Sequence, residues 1–248
     1  MLNKIIEEYI IDFIAKRNDP VLKKVIVENS IPIIWFGNIN KYLDSEKRIL
    51  TVGLNPSNIE FPEDNPQKRF DSVNLALPVD SQMIERLKYV LNSYFDKEPY
   101  SKWFSSGERV LDCFDASYYS DRGKSNQAIH IDIYSSIATN PTWGSLDEVD
   151  RSIKPRIQNV ELFKELLVFL NPDVILVSTN KDIFNEVFVK TLAFGHDVDY
   201  QKGKNNYYVR KFYKEGKTLY WISNIQGTVF GPRKEFIKNS INMLNDKN

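Results

Sequence analysis

One cysteine in 248 residues, Cys113, leaves the chain unable to form an internal disulfide or a zinc or iron–sulfur site from its own thiolates. Such cysteine usage fits a reducing compartment, and the expectation is a cytoplasmic protein. Net charge is also lacking, because 33 Lys and Arg balance 33 Asp and Glu, so the total gives no argument for a nucleic-acid partner. The first helix-like segment carries Lys4, Glu7, Glu8, Asp12, Lys16 and Arg17, which is too much charge for a signal peptide or a membrane span. No repeat, low-complexity tract or linker divides the chain. One domain over residues 1–248 is expected, with 1–47 as a helical and edge extension packed on it. Nothing calls for a cofactor, a metal or more than a monomer.

The chain does contain enough apolar residue, 42%, to bury one large core. Its charge is unevenly spread: from residue 201 onward ten Lys or Arg face three Asp or Glu, a surplus of seven that the first 200 residues must offset. A basic face on an acidic body would produce that split, and so would scattered solvated charge.

Periodicity predicts a helix over residues 2–16, then a short apolar run at Ile31 to Phe36 as an edge strand or the lip of a pocket. A buried strand follows in Arg48 to Leu54. Residues 58–80 read as a long loop, Met83 to Phe95 as an amphipathic helix, and Tyr100 to Tyr119 as partly helical. Ala128 to Thr139 alternates as a strand does. A helix at Asn159 to Leu170, a strand at Val174 to Val177 and a helix at Lys181 to Leu192 continue the α/β rhythm of a parallel sheet. Paired strands at Tyr207 to Tyr213 and Thr218 to Ile222 flank Glu215-Gly216, and a last helix covers Lys234 to Leu244.

Three stretches carry candidate chemistry. In RILTVGLNPS, Gly53 and Pro56 stop the strand and put Asn55, Ser57 and Phe61 beyond its carboxyl end, where ligands of open α/β sheets bind. The same residues also suit a plain turn. On a strand, His130 and Asp132 share a face; Asp132 would there read a ligand or simply pair with an arginine or cap a loop. In SNIQGTVFGPRK the apolar Val229 and Phe230 either fold into the core or wedge into a DNA stack, and Arg233 and Lys234 suit phosphates.

The order of these motifs, GLNPS, then the strand Ile129 to Tyr134, then PDVILVST, then a closing strand with a small-polar turn, resembles the uracil-DNA glycosylase superfamily. The resemblance runs from about Arg48 to Lys238, and GLNPS is closest to the mismatch-specific, thymine-DNA-glycosylase-like branch. It implies a three-layer α/β/α fold with a central, mainly parallel, four-stranded sheet, and a monofunctional enzyme that flips a nucleotide from double-stranded DNA and leaves an abasic site. By that resemblance Asn55 orients the attacking water, Phe61 stacks on the base, Ser57 and His130 line the base site, and Asp132 stands where an Asn reads the base edge. Gln226 and Thr228 fall in the motif that is usually His-Pro-Ser. The sequence departs there and at Asp132. An ionised Asp only accepts hydrogen bonds, so it suits the N4 amino group of a cytosine and repels O4 of uracil. A modified cytosine, hydroxymethylated or glucosylated as in some phages, is the expected base. A non-catalytic module that recognises modified or mispaired bases and a conventional uracil or mismatch repair glycosylase are the alternatives.

Overall fold

A computed structural model describes residues 1–195, 199–202, 208–222 and 231–245. In chain order its elements are α1 (Leu2–Arg17), α2 (Ile39–Leu43), β1 (Ile49–Gly53), α3 (Ser81–Asn92), α4 (Ser101–Leu111), β2 (Ala116–Ser117) and β3 (Asn126–Asp132). These are followed by α5 (Leu146–Val149), α6 (Ile153–Ile157), α7 (Glu161–Leu170), β4 (Val174–Val177), α8 (Lys181–Phe184), β5 (Asp199–Lys202), β6 (Tyr208–Lys214), β7 (Lys217–Ile222) and α9 (Gly231–Asn245). Among the described residues no helix is long and apolar enough to cross a membrane. Contacts group the chain into two units, each assembled from three separated stretches: residues 1–38, 54–100 and 131–170 in the first, and 39–53, 101–130 and 171–248 in the second.

The second unit holds the sheet, apart from the last two residues of β3. Its strand order is β2-β3-β1-β4-β7-β6-β5. The protein is α/β as expected, but the sheet is mixed and seven-stranded rather than four-stranded and mainly parallel. β4 runs parallel to β1 (Ile49 opposite Val174) and to β7 (Val174 opposite Thr218). The departure lies at one edge, where Glu215 and Gly216 take positive φ values of 50° and 78°. Two successive left-handed residues make the tight hairpin turn that sends β6 back antiparallel to β7, and β5 adds to it in the same sense. β1 and β4 are buried along their whole length, as suits the all-aliphatic VILV of β4 and the largely aliphatic ILTVG of β1, whose Thr51 is the one polar side chain. Lys211 of β6, only 2% exposed, donates to the Leu244 carbonyl at the end of α9 at 2.6 Å, which satisfies one orphan carbonyl of that helix. The helix expected over Lys181 to Leu192 is α8 followed by a π-helical stretch, Asn185–Thr191, where the Leu192 N–H bonds to the Val187 carbonyl at 2.9 Å.

In the first unit, α1 packs on α7 and α3 through Ile5, Ile6, Tyr9, Ile10 and Phe13, which recur at helical spacing. The run Ile31 to Phe36 is buried but has no strand of its own, only a single bridge residue at Phe36. The Trp35 indole N–H is held by Asn92 Oδ1 at 3.0 Å. Strand β3 stops at Asp132, seven residues before the expected end. Beyond it the chain lies along the segment that follows β1. Tyr134 N–H bonds to Leu54 O, Thr139 N–H to Pro56 O, and Asn58 N–H to Thr139 O.

Candidate functional site

Strand β1 ends at Gly53, and Pro56 has no N–H with which to prolong a ladder. Half-buried Asn55 uses the bend to reach the segment after β3. Its Nδ2 donates to the carbonyls of Tyr134 at 2.8 Å and Ile137 at 2.9 Å, and its Oδ1 accepts from the Thr139 hydroxyl at 2.8 Å. Both amide hydrogens are thus engaged, which fixes the side chain's orientation and leaves one lone pair on Oδ1. Two residues on, Ser57 bridges to Thr139 and its hydroxyl accepts from Ile59 N–H at 3.4 Å, capping the short 3-10 turn Asn58–Glu60.

That turn leads to a clasp. Buried Glu60 accepts from the Tyr94 hydroxyl at 2.7 Å and lies 3.9 Å from Nε of Arg69, whose Nη1 donates to the Ile59 carbonyl at 2.8 Å. Burial raises the Glu60 carboxyl to about 7; Tyr94 and Arg69 oppose the shift, and the charge of Asp132 adds to it. Behind the clasp Phe61 stacks on Phe70, with ring centroids 5.6 Å apart, and Phe70 stacks on Tyr94 at 4.9 Å. Phe61 and Phe70 are also among the residues lining a cavity of about 310 Å³.

Asp132 closes β3 at 4% exposure, in the same unit as Asn55, Ser57 and Phe61. His130 sits in a cluster of the second unit. Its Nδ1 lies 2.8 Å from the Thr51 hydroxyl oxygen, to which the Tyr118 hydroxyl donates, also at 2.8 Å. Phe104 meets the imidazole edge-on at 5.5 Å. Tyr118 is held from behind, because buried Glu108 accepts from its N–H at 2.7 Å and from the Ser117 hydroxyl at 3.0 Å. Desolvation raises the Glu108 carboxyl, against these bonds and the Arg122 ion pair. Space for the Tyr118 ring comes from Gly107, where a Cβ would stand 2.6 Å from the hydroxyl. A cavity of about 30 Å³, large enough to hold water, opens between Thr51, Gly53, Trp103, His130 and Ser178. It lies at the carboxyl ends of β1 and β4, with β3 on the other side of β1. The chain changes direction across the sheet there, as at ligand sites of open α/β folds.

No family model, curated protein or solved structure matches the chain. Its chemistry has to be argued from its own side chains. Of the residues singled out in the sequence, Asn55, Ser57, Phe61 and Asp132 fall in the first unit, and Asn55 and Ser57 share Thr139 as a partner. His130 belongs to the second unit. Gln226, Thr228, Val229 and Phe230 lie outside the described residues, and Arg233 and Lys234 are on the first turn of α9. Thr139, Glu60, Tyr94, Thr51 and Tyr118 carry the networks and escaped the sequence reading. Only Glu60 had a local signal, as the one carboxylate between Asn55 and Phe61. Among the described residues no group of three or more His, Cys, Asp or Glu is placed to hold a metal ion.

Proposed function

We propose that the protein is a DNA glycosylase that hydrolyses the N-glycosidic bond of a flipped pyrimidine, a modified cytosine such as a hydroxymethylated or glucosylated one. The observation that carries this reading is the orientation of Asn55. With both amide hydrogens given to main-chain carbonyls, its Oδ1 can only accept, and the remaining lone pair suits a water O–H just beyond the end of β1. That water's oxygen forms the bond to the anomeric carbon as the bond to N1 of the base breaks. The electron pair leaves with the base, and the water's proton passes to solvent or to the base. Rigid anchorage supports such a step, since a positioned nucleophile removes much of the orientational part of the barrier. Asp132 supplies an acceptor for an exocyclic amino group and Gln226 a donor for the base's developing charge, whereas Phe61, 4% exposed and stacked on Phe70, has no open face for the base in this conformation. Ser57 is the remaining base-site assignment in the unit of Asn55 and Asp132. Val229 and Phe230, with Thr228, Arg233 and Lys234, would fill the gap in the duplex and hold its phosphates, offsetting the few kcal/mol that flipping costs.

Mass spectrometry of bases released from unmodified, uracil-containing and glucosylated-cytosine DNA tests the reading. Release of the modified cytosine, lost in Asn55→Ala at a temperature where that variant is shown to be folded, is the expected result. Release of uracil alone would remove the assignment of Asp132. A second reading, a module that recognises modified or mispaired bases without breaking a bond, is favoured by the same three hydrogen bonds, because an amide so engaged also serves as a tie between two segments. Retained affinity for modified DNA with no free base from any substrate would select it.

A further inference from the structure

Glu60 and Arg69 bracket the loop 61–68, which contributes Phe61, Pro66 and Gln67 to the lining of the 310 Å³ cavity. Across the base of that loop two groups face each other without meeting. The Arg69 guanidinium donates through Nη1 to the Ile59 carbonyl at 2.8 Å, yet its buried Nε–H has no hydrogen-bond partner among the described residues and stands 3.9 Å from Oε2 of Glu60. The Glu60 carboxyl, in a residue 6% exposed, accepts from the Tyr94 hydroxyl at 2.7 Å. A neutral carboxyl is tolerable there with that bond, whereas an ionised one requires the nearest charged donor. Tyr94 is fixed in place. Its ring packs on Phe36 and on Phe70, with centroids 4.9 Å away in each case, and its hydroxyl accepts from the Tyr100 N–H at 3.0 Å. Arg69 is the partner able to move, and about 1 Å brings its Nε to the length of a charge-assisted bond.

We propose that Glu60 and Arg69 form a proton-operated clasp on the loop 61–68. With Glu60 neutral, Arg69 is tied to the turn Asn58–Glu60 by its Ile59 bond alone. With Glu60 ionised, its proton released to solvent, Arg69 Nε closes onto Oε2, and a second, charge-assisted bond locks the loop that follows Asn55 and Ser57 in the chain. Burial is the largest influence on the carboxyl and brings it up to about 7; the Tyr94 bond and the Arg69 charge oppose the rise, and the charge of Asp132 adds to it. The clasp is therefore open below that pH and closed above it. Burial and then the Glu60 charge raise the Tyr94 hydroxyl, which takes it out of the titration. None of this depends on what the protein does to DNA.

The test follows two side chains of the full-length protein by NMR from about pH 5 to about pH 9, the Glu60 carboxyl carbon and the Arg69 Nε–H, both assigned by through-bond spectra. Glu60 is expected to titrate with a midpoint near 7, and the Arg69 Nε–H signal to shift downfield and exchange more slowly with solvent at the same midpoint. Coincidence of the two midpoints in the parent protein decides the matter without any variant. Glu60→Gln, close in shape to the neutral acid, should hold the Arg69 signal at its low-pH position throughout. Asp132→Asn removes the charge that opposes ionisation and should lower both midpoints together. A Glu60 carboxyl that keeps one protonation state over the whole range overturns the proposal. So does an Arg69 signal that stays put while Glu60 titrates, or one that titrates unchanged in Glu60→Gln.

Discussion

Two side chains show how much a single residue can fix. Removing the Asn55 amide leaves two carbonyls and a threonine hydroxyl without their partner. Asn55→Ala is expected to cost about 2–4 kcal/mol of stability in urea unfolding, on top of any loss of activity. Thr139→Val removes one bond and keeps the shape, so it should cost about 1 kcal/mol and retain part of the activity. A Thr139→Val protein without activity but with parental stability would mean that the hydroxyl does more than anchor. In the second unit, Gly107→Ala drives a methyl to 2.6 Å from the Tyr118 hydroxyl and 3.1 Å from its ring, so the ring has to shift toward the small neighbouring cavity. About 1–3 kcal/mol of destabilisation is expected, with loss of the Tyr118–Thr51 hydrogen bond, visible as a shift of the His130 ring resonances. Asn55 is readable from a strand that runs into Gly-Leu-Asn-Pro-Ser. Its partner Thr139 is not, because it lies 84 residues along the chain and nothing local ties the two together. Gly107, inside a helical pattern, gives no sign of the ring it accommodates.

At the scale of elements, the clasp of Glu60, Arg69 and Tyr94 joins the turn Asn58–Glu60 to the chain around Phe70 and to the segment after α3. Its carboxyl is raised from 4.5 to about 7, so between those values the folded protein keeps a proton that the unfolded chain releases. Stability contributed by protonated Glu60 is therefore present at low pH, declines as pH rises from about 4.5 to about 7, and changes no further above that. The whole effect is on the order of 3 kcal/mol. Glu60→Gln should flatten that part of the stability–pH curve, and an unchanged slope would place the titration elsewhere. Strand β4 matches its expected bounds, and β1 and the hairpin strands come within a residue, because aliphatic runs and a Glu-Gly turn are local signals. β3 is shorter than its alternating pattern. From Ile133 onward that pattern is taken over by hydrogen bonds to Leu54 and Pro56, a tertiary pairing that mimics strand periodicity. The mixed sheet was hidden for the opposite reason. The paired strands were visible, but their sequence does not say that they extend the parallel sheet.

For the molecule as a whole, the surplus of seven positive charges from residue 201 onward predicts salt-sensitive affinity for DNA despite zero net charge. Replacing Arg233 and Lys234 by Ala should lower the slope of log affinity against log salt by about 2, equally for all DNA sequences. Fluorescence anisotropy at several salt concentrations measures it, and an unchanged slope would move the phosphate contacts elsewhere. The interleaving of the two units bears on something else, the birth of the chain. Ile49 is synthesised 125 residues ahead of Val174, its partner in the sheet, and no stretch of either unit is complete in itself. A ribosome that stalls before residue 171 therefore releases a β1 with no β4 beside it and an apolar strand edge exposed. Such fragments are substrates for chaperones and proteases rather than half-active proteins.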